Sequence, residues 1–420
     1  MTGHAEIRHV PAEEMLPWLR SMRTTLLVDP GALSDAGQRW WNKVWDADRI
    51  FGGYADGRCV ATLRTFATTV SVPSGAGDCA EIATDALTQV TVAGTHRRRG
   101  LLTGMLTRSL RDAKDRGELV SLLRAAEWPI YSRFGYWPAT FGSNYTIRSG
   151  QHLNILAPQR PVEVVQVEPA ELLAPAAAVF ARIRRQRAGH IDREPAVWER
   201  RLGLQDMKPP NTREPVCVIA RNGEGGVDGY ATWTANEGDW FHDPQQAQAV
   251  VSEVLAATPD AYRALWRYLI GIDLVRSLSL EAYPVDEPLE WLLSDGRAAR
   301  RTWTGDNDWL RLLDVPAVLS ARRYQSTDRL VLQVVDTDGG WAAGRVSLDG
   351  GPEHADCRAG TTESADLTLS QRALAAIYLG GCTVRSQPLA GLLDEETPGA
   401  ASRLEAMFRT SQAPWNATPF

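Results

Sequence analysis

The sequence predicts an α+β protein of about three domains, and three observations support this fold class. The chain has 420 residues, whereas a domain has roughly 150. Hydrophobic residues make up 44% of it and charged residues 23%, which is globular composition and excludes a disordered, collagen-like or coiled-coil chain. Stretches with the period of strands alternate with stretches of helical period, and the pattern restarts near residues 151 and 306. We therefore predict domains at residues 1–150, 151–305 and 306–420.

The charge and the cysteines exclude some classes of partner and location. A net charge of -6 argues against a nucleic-acid partner, because such binding needs a basic surface, and it suits cationic ligands. The N-terminal residues show no secretion-signal pattern, and no stretch approaches the roughly 20 apolar residues of a membrane span. Five cysteines without a CxxC pair are typical of reduced thiols. We expect a cytoplasmic protein with no membrane span.

The first domain begins with a predicted helix and a β-hairpin. Apolar residues recur at helical spacing from Ala12 to Leu27. Ile50–Tyr54 and Cys59–Phe66 have strand patterns, and they flank Asp56-Gly57, a dipeptide that closes tight hairpins because both residues tolerate positive φ. The pattern therefore indicates a helix followed by an antiparallel strand pair.

A strand, a basic glycine turn and a helix follow. Leu87–Val92 (LTQVTV) is a β-branched strand pattern, and residues 95–100 (THRRRG) come after it. The apolar residues of the next segment share one helical face: Leu102, Met105, Leu106 and Leu110. Gly117 has the position of a helix C-cap, and Glu118–Leu123 returns as a strand.

The second and third domains have their own alternation of strands and helices but no second basic glycine turn. In the second domain we predict a helix at Asp260–Ile272 and a strand at Ser277–Ala282. The third domain has alternating strand patterns, then two helical stretches, and ends in the sequence PWNATPF.

The turn at residues 97–103 has the chemistry of an anion site. It leads directly into a helix, whose first backbone N–H groups have no intrahelical partner and whose dipole favours a phosphate there. Gly100 lets the backbone approach a ligand closely, and Arg98 and Arg99 add positive charge. A solvated basic turn or a nucleic-acid patch is the alternative, and the acidic net charge disfavours the second of these.

These residues resemble a known family. The strand LTQVTV, the Arg-rich glycine turn and the amphipathic helix resemble motif A of the GCN5-related N-acetyltransferases (GNAT), which bind acetyl-CoA. More narrowly, THRRRGLL, the segment IYSRFGYWPAT at residues 130–140 and the tail that closes in Phe420 resemble the Eis (enhanced intracellular survival) family. The resemblance spans the chain and implies two GNAT-like domains, a C-terminal sterol-carrier-protein-like domain, acetyl-CoA as cosubstrate and a homohexamer.

The resemblance also implies which residues bind acetyl-CoA. Strand residues Val90, Thr91 and Val92 would bind the pantetheine arm through their backbone. The pyrophosphate would lie on the turn formed by Arg98, Arg99, Gly100, Leu101, Leu102 and Thr103. Ala126 and Glu127 would lie beside the acetyl-bearing end. Leu102 stands where the wider GNAT pattern has a small residue, although Eis relatives share this bulk.

Two residues would be catalytic by the same resemblance. Tyr131 would protonate the departing thiolate, and the α-carboxylate of Phe420 would act as base. A Tyr pKa near ~10 against a thiol near ~8.5 makes full proton transfer uphill by roughly 2 kcal/mol, so we expect transfer to accompany C–S cleavage or the site to lower the Tyr pKa. Without the resemblance, Tyr131 is a core aromatic and Phe420 a frayed terminus.

The substrate side of the site is predicted from Asp29 and Trp40. Both fall where the family places acidic and aromatic groups, which attract cations. The alternative is that Trp40 belongs to the core and that Asp29, before Pro30, is a turn residue. The histidines lack metal-ligand spacing, and we expect no metal.

The leading hypothesis is an acetyl-CoA-dependent N-acetyltransferase. It would acetylate primary amines of a polycationic small molecule, such as an aminoglycoside, by direct transfer in a ternary complex, and would thereby confer antibiotic resistance. Protein lysines or biogenic amines are alternative acceptors. A different class of function is lipid binding in the C-terminal domain beside a degenerate acetyltransferase part.

Overall fold

Three β-sheets with their helices organise the chain. The computed structural model describes residues 6–31, 33–75, 77–150, 152–158, 160–205, 213–236, 247–336 and 340–420. Among these residues no helix is both long and apolar enough to cross a bilayer. The five cysteines are free thiols.

The first sheet has the order β1-β2-β3-β4-β5-β14-β6. Its strands are β1 (Glu6–His9), β2 (Ile50–Ala55), β3 (Arg58–Gly75), β4 (Asp78–Val92), β5 (Val120–Arg124), β6 (Trp137–Pro138) and β14 (Asp308–Leu312). The helices that accompany it are α1 (Met15–Thr25), α2 (Asp35–Val44), α3 (Leu101–Asp115) and α4 (Trp128–Tyr131).

The second sheet has the order β13-β7-β12-β11-β10-β9-β8. Its strands are β7 (Phe141–Arg148), β8 (Glu163–Val167), β9 (Val216–Arg221), β10 (Val227–Ala235), β11 (Gln248–Ala256), β12 (Ser277–Pro284) and β13 (Ala299–Asp306). Its helices are α5 (Pro169–Arg184), α6 (Pro195–Arg201), α7 (Pro259–Ile270) and α8 (Leu289–Leu292).

The third sheet has the order β17-β16-β15-β18-β19. Its strands are β15 (Asp328–Val335), β16 (Gly344–Gly350), β17 (Ala355–Ala359), β18 (Leu367–Ser370) and β19 (Leu393–Glu395). The helices α9 (Val315–Ala321), α10 (Gln371–Tyr378) and α11 (Ala400–Phe408) pack with it. Residues after α11 form an extended tail to Phe420.

The sheets exchange strands across the predicted domain boundaries. β7 lies within predicted domain 1–150 but pairs with β12 and β13 of the second sheet. β14 lies within predicted domain 306–420 but pairs with β5 and β6 of the first sheet. An open strand edge pairs with any strand that reaches it, whatever its place in the sequence. The boundaries stay predictions, while the hydrogen-bonded units differ from them at these two strands.

The long hairpin of β3 and β4 ties the three units together. The part of the hairpin nearest its turn carries Val70, Val72 and Ile82 into the same buried cluster as Leu330 and Leu332 of β15. An isolated bridge joins Val70 to Ile191, between β3 and the segment before α6. The first unit therefore shares its core with the third and contacts the second directly.

Candidate active site

The strand predicted to bind pantetheine is the end of β4, and it has one open edge. β4 and β5 pair in parallel as far as Leu87 and Leu123. Beyond Leu87, β4 continues to Val92 and pairs with β3 alone. Val90, Thr91 and Val92 therefore lie where the two parallel strands separate. An unpaired strand edge offers backbone N–H and C=O groups to an extended ligand.

A β-bulge shapes this end of β4. Gln89 has a φ of 55°, and the register between β3 and β4 shifts at this position. The hydroxyl of Thr62 donates a hydrogen bond to the Gln89 carbonyl at 2.9 Å, and it lies 2.6 Å from the hydroxyl of Thr91. Bulges bend a strand and turn its backbone groups away from the regular hydrogen-bond ladder. The Thr62 hydroxyl on β3 therefore stabilises the bend in β4.

The basic turn forms an anion-binding helix start. Arg98 has a φ of 62° and Gly100, the N-cap of α3, has a φ of 81°. The first intrahelical bond runs from the Gly104 N–H to the Gly100 carbonyl at 2.9 Å. The backbone N–H groups of residues 101–103 precede that bond, and no side chain caps them. They are therefore available to a diphosphate.

The space beside Gly100 is open. A Cβ atom placed on Gly100 would meet no protein atom within 4 Å, so the groove beside it is open. Arg98 and Arg99 are exposed, as is Thr103, whereas Leu101 is only 3% exposed and packs in the core. Leu101 would therefore contribute its backbone and not its side chain. The bulk of Leu102, half-buried on α3, leaves the groove open.

The predicted site residues Ala126, Glu127 and Tyr131 lie in the segment that follows β5. Ala126 and Glu127 are exposed and follow directly after β5, while Tyr131 ends the short helix α4 and is 8% exposed. Burial, and then the carboxylate of Glu127, raise the pKa of Tyr131 to about 12. The hydroxyl therefore stays protonated at neutral pH, and a lowered Tyr pKa, one of the two expected routes to proton transfer, is not found.

The C-terminal tail fills the cleft of the second sheet that corresponds to the cofactor opening of the first. β11 and β12 pair in parallel only as far as Val250 and Ser279, and then separate. Trp415 enters this space, is 7% exposed, and donates from its indole N–H to the Ala282 carbonyl at 2.6 Å. Residues 416–418 are also buried. The second sheet thus holds the chain's own tail where a cofactor would lie.

A buried ion pair anchors the tail. The Arg193 guanidinium binds Glu253 at 2.6 Å and 3.1 Å. It also donates to the Thr418 hydroxyl at 2.8 Å and to the Ala417 carbonyl at 3.0 Å. Burial disfavours the ionised Glu253, but Arg193 and Arg201 outweigh it and hold the pKa of that carboxyl below its usual range. Two guanidinium N–H groups therefore fix the tail two and three residues before its end.

The start of helix α7 on the second sheet differs from the basic turn before α3. Helix α7 follows β11 as α3 follows β4, but the Thr258 side chain accepts a hydrogen bond from the Ala261 N–H at 3.3 Å. Pro259 supplies no N–H at all. Since a side-chain cap and a proline replace the available amides, this helix start does not have the donors that a diphosphate needs.

Phe420 bridges the two strands that flank β4. Its ring lies 5.8 Å from the ring of Phe66 on β3 and 6.0 Å from the guanidinium carbon of Arg124 on β5. Arg124 also donates to the Asn416 carbonyl at 3.3 Å and to Asp308 at 3.1 Å. The chain end is therefore seated at the cofactor opening of the first sheet and is not a frayed terminus.

The structure brings only one of the two predicted substrate residues to the chain end. Trp40, on α2, lines a cavity with Phe420. Asp29 is exposed in the segment after α1, and its carboxylate accepts a hydrogen bond from the Gly31 N–H at 2.9 Å. This is a local turn contact, and Asp29 does not line that cavity. Its role in substrate binding remains a prediction.

Several residues of the site were missed in the sequence. They are charged or aromatic side chains that the fold brings to the chain end: Arg64, Phe66, Arg124, Arg193, Glu194, Arg200, Glu253. None belongs to a local motif, so spacing carries no signal for them. A metal site has no support either, because the histidine, cysteine and acidic residues within the described ranges form no ligand cluster.

The fold agrees with comparisons to known protein families. Residues 6–139 and residues 189–312 each match an acetyltransferase (GNAT) domain, and residues 315–417 match a sterol carrier protein domain. These matches confirm the predicted fold class of two GNAT domains and a sterol-carrier-like domain. The protein is a GNAT acyltransferase, a class that uses acetyl-CoA.

Comparison with individual proteins narrows the assignment. The chain is 35% identical to an N-acetyltransferase of Streptomyces avermitilis over 98% of this chain and 97% of that protein. It is 35% identical to N-acetyltransferase Eis of Mycobacterium tuberculosis over 77% of this chain and 78% of that protein. The crystal structure of Eis1 from Mycobacterium abscessus superposes with a TM-score of 0.84 at 28% sequence identity. The superposition covers 99% of this chain and 100% of the Eis1 chain. The chain belongs to the Eis family of N-acetyltransferases.

Proposed function

We propose that the protein transfers the acetyl group of acetyl-CoA directly to a primary amine of a small molecule, in a ternary complex. The observation that carries this proposal is the position of Phe420, whose ring contacts Phe66 and Arg124 on the two strands beside β4. A carboxylate at that place is next to the opening in which β4 would hold the acyl donor.

The donor would be held by the residues predicted from the sequence. The open edge at Val90–Val92 would bind the pantetheine arm, and the uncapped amides of residues 101–103 would bind the diphosphate. The exposed Arg98 and Arg99 add charge there, and Ala126 and Glu127 would lie beside the acetyl-bearing end. Acetyl-CoA supplies an acetyl group already activated as a thioester.

The Phe420 carboxylate would accept the proton that the acceptor amine loses. A reference α-carboxyl has a pKa near ~3.5, far below that of an alkyl ammonium, so it is a weak base on its own. The carboxylate therefore acts through a water molecule or while the amine attacks, and it also attracts the ammonium form into the site.

Tyr131 would donate its proton to the departing sulfur. With the pKa of Tyr131 at about 12 and that of a free thiol near ~8.5, transfer to the released thiolate is uphill by about 5 kcal/mol, and the sulfur of the intact thioester is far less basic than that thiolate. The proton must therefore move as the C–S bond breaks. The raised pKa also keeps the phenol in the protonated form that an acid requires.

The acceptor predicted from the sequence is a polycationic small molecule such as an aminoglycoside. Glu194 and Phe420 line the cavity, and the negative charges of these two residues support an ammonium acceptor. Arg64 and Arg200 line it too and repel additional positive charges. Protein lysines and biogenic amines remain alternative acceptors. Resistance to an aminoglycoside and assembly as a hexamer are predictions that follow only from the family resemblance.

A direct assay tests the proposal. We would incubate the full chain and acetyl-CoA with an aminoglycoside, a polyamine, an amino acid amine and a lysine peptide, and identify products by mass spectrometry. The matched variant carries two alanines after Phe420, which moves the carboxylate away from the site. We expect acetyl transfer by the native chain and at least a hundredfold lower kcat with the extended one, at an unchanged Kd for acetyl-CoA. Absence of transfer to every amine, or full activity of the extended chain, would contradict the proposal.

A further inference from the structure

The cavity beside the chain end contains two positive charges that an enzyme for polycations does not need. Trp40 and Arg64 of the first unit line it, Glu194 and Arg200 of the second unit face them, and Phe420 closes it. This is the cavity in which the acceptor amine would meet the terminal carboxylate. Its other charged groups therefore decide which acceptor it prefers.

Arg64 is held as a half-buried cation. It donates from Nη2 to the Val44 carbonyl at 3.1 Å. The centre of its guanidinium lies 5.5 Å from the Trp41 ring and 5.6 Å from the Phe66 ring. Burial lowers the pKa of Arg64 to about 10, so the group stays charged at neutral pH. Two aromatic faces and one carbonyl thus orient a charge that keeps further N–H donors.

Arg200 lies opposite, in the last turn of α6. Its guanidinium centre is 5.9 Å from the Trp40 ring, and burial and then Arg201 lower its pKa. Among the described residues its guanidinium has neither a hydrogen bond nor an ion pair. Burial, and to a smaller extent the charge of Arg200, lower the pKa of Arg64, while the charge of Glu194 raises it. Arg64 and Arg200 both line this cavity.

The acidic groups of the cavity leave the two cations without a carboxylate in bonding contact. Asp192 is bound by Arg184 at 2.9 Å. Glu194 raises the pKa of Arg64 by its charge, but no hydrogen bond joins the two side chains within the part of the chain that the structure describes. Two guanidinium groups that line one cavity, with no hydrogen bond to a carboxylate among the described residues, keep N–H donors for an anion, which a fork of N–H donors binds well.

We propose that Arg64 and Arg200 form an anion subsite in the acceptor cavity, and that the preferred acceptor carries a carboxylate or phosphate in addition to its primary amine. This inference rests on the proposed function. The amine faces the Phe420 carboxylate while the anionic group faces the two arginines. A polycation instead brings a second ammonium toward two guanidinium groups.

The test uses three amines that differ only in their far end. 5-Aminopentanoate, pentylamine and cadaverine carry a negative, a neutral and a positive end group on the same five-carbon chain. With the native enzyme we expect kcat/KM to fall about tenfold from 5-aminopentanoate to pentylamine, since a charge-assisted hydrogen bond is lost, and to fall further with cadaverine. Glucosamine 6-phosphate against glucosamine repeats the comparison for a phosphate.

Two variants connect the preference to the proposed residues. Arg64→Gln and Arg200→Gln remove one charge each, and Arg148→Gln removes a charge from β7, where that side chain is 72% exposed and pairs with Asp295. We expect the preference for the anionic amine to shrink about tenfold in each of the first two variants and to persist in the Arg148 variant. A preference for cadaverine, or one unchanged in both cavity variants, overturns the inference.

A binding measurement separates failure of the inference from failure of the proposed function. Calorimetric titration of the full chain with 5-aminopentanoate and with cadaverine, in the presence of CoA, needs no turnover. Tighter binding of 5-aminopentanoate that is lost in Arg200→Gln supports the subsite even if no acetyl transfer occurs. Equal binding of both amines overturns the subsite even in an active enzyme.

Discussion

The ring of Phe420 meets the ring of Phe66 edge to face, with centroids 5.8 Å apart and planes at 82°. Phe420 thereby packs on β3, which pairs with β4, the strand that we propose to bind acetyl-CoA. The tail reaches this point through the cleft of the second sheet, where Trp415 is buried. The second GNAT unit thus binds the C-terminal tail. Its strands β11 and β12 separate, as β4 and β5 do in the first unit, but the space between them contains Trp415 of the tail.

We predict that the Thr418→Val variant loses activity without losing acetyl-CoA binding. The Thr418 hydroxyl accepts a hydrogen bond from Arg193 Nε at 2.8 Å. Valine has the same shape, but it leaves a buried guanidinium N–H without an acceptor, at a cost of about 1–3 kcal/mol. The tail should then leave its position part of the time. We expect kcat to fall about tenfold and the Kd for acetyl-CoA, measured by calorimetry, to stay the same.

Thr410→Val is the matched control for this prediction. The Thr410 hydroxyl donates to the Gln412 carbonyl at 2.8 Å, near the exposed start of the tail. We expect native kcat in this variant. Equal kcat in the Thr418 and Thr410 variants would show that the Arg193 contact does not position Phe420.

Local features of the fold were predictable because neighbouring residues determine them. Asp56 and Gly57 have φ of 49° and 73°, as the hairpin prediction requires, and the helix predicted at Ala12–Leu27 is found as α1, Met15–Thr25. The helix start at Gly100 was predictable for the same reason, since a glycine and the following amides form it without help from distant residues.

Distant contacts were not predictable. Arg193 and Glu253 are 60 residues apart in the chain, and Arg193 and Thr418 are 225 apart, so no spacing rule brings them together. The exchange of β7 and β14 between sheets has the same origin, because strand edges pair according to the folded arrangement and not the order of domains. The catalytic role proposed for Phe420 follows from the family resemblance alone, whereas the position of its ring beside Phe66 and Arg124 is seen only in the structure.

We predict that Gly100→Ala weakens acetyl-CoA binding more than it weakens the fold. Gly100 has a φ of 81°, and an added Cβ would meet no protein atom within 4 Å. The substitution therefore costs about 1–2 kcal/mol of stability from the left-handed backbone alone. The new methyl group also enters the space where the diphosphate would approach. We expect the Kd for acetyl-CoA to rise about tenfold.

Gly57→Ala separates strain from binding in that experiment. Gly57 has a φ of 73°, and its added Cβ would likewise meet nothing within 4 Å, but it lies in the hairpin turn of β2 and β3. Both variants should lower the melting temperature by a similar amount, while only Gly100→Ala changes the titration with acetyl-CoA. Equal Kd values for the two variants would argue that the diphosphate does not lie on this turn.

We predict that Tyr131→Phe lowers kcat by a factor of about 100 or more and leaves the Kd for acetyl-CoA nearly unchanged, because the variant keeps the ring but has no proton to donate. The control is Tyr268→Phe, which removes a hydroxyl from α7 on the second sheet and should have native kcat.

The pH dependence of the rate gives a second readout for Tyr131. Burial and Glu127 raise the pKa of Tyr131 to about 12, and a general acid works in its protonated form. The rate should therefore show no decline from Tyr131 ionisation as the pH rises from 6 to about 10, since even at the upper value nearly all of the phenol is protonated. A decline of kcat with a midpoint below pH 10 that disappears in Tyr131→Phe would mean that the bound donor lowers the Tyr pKa, which would make proton transfer to the departing sulfur less uphill.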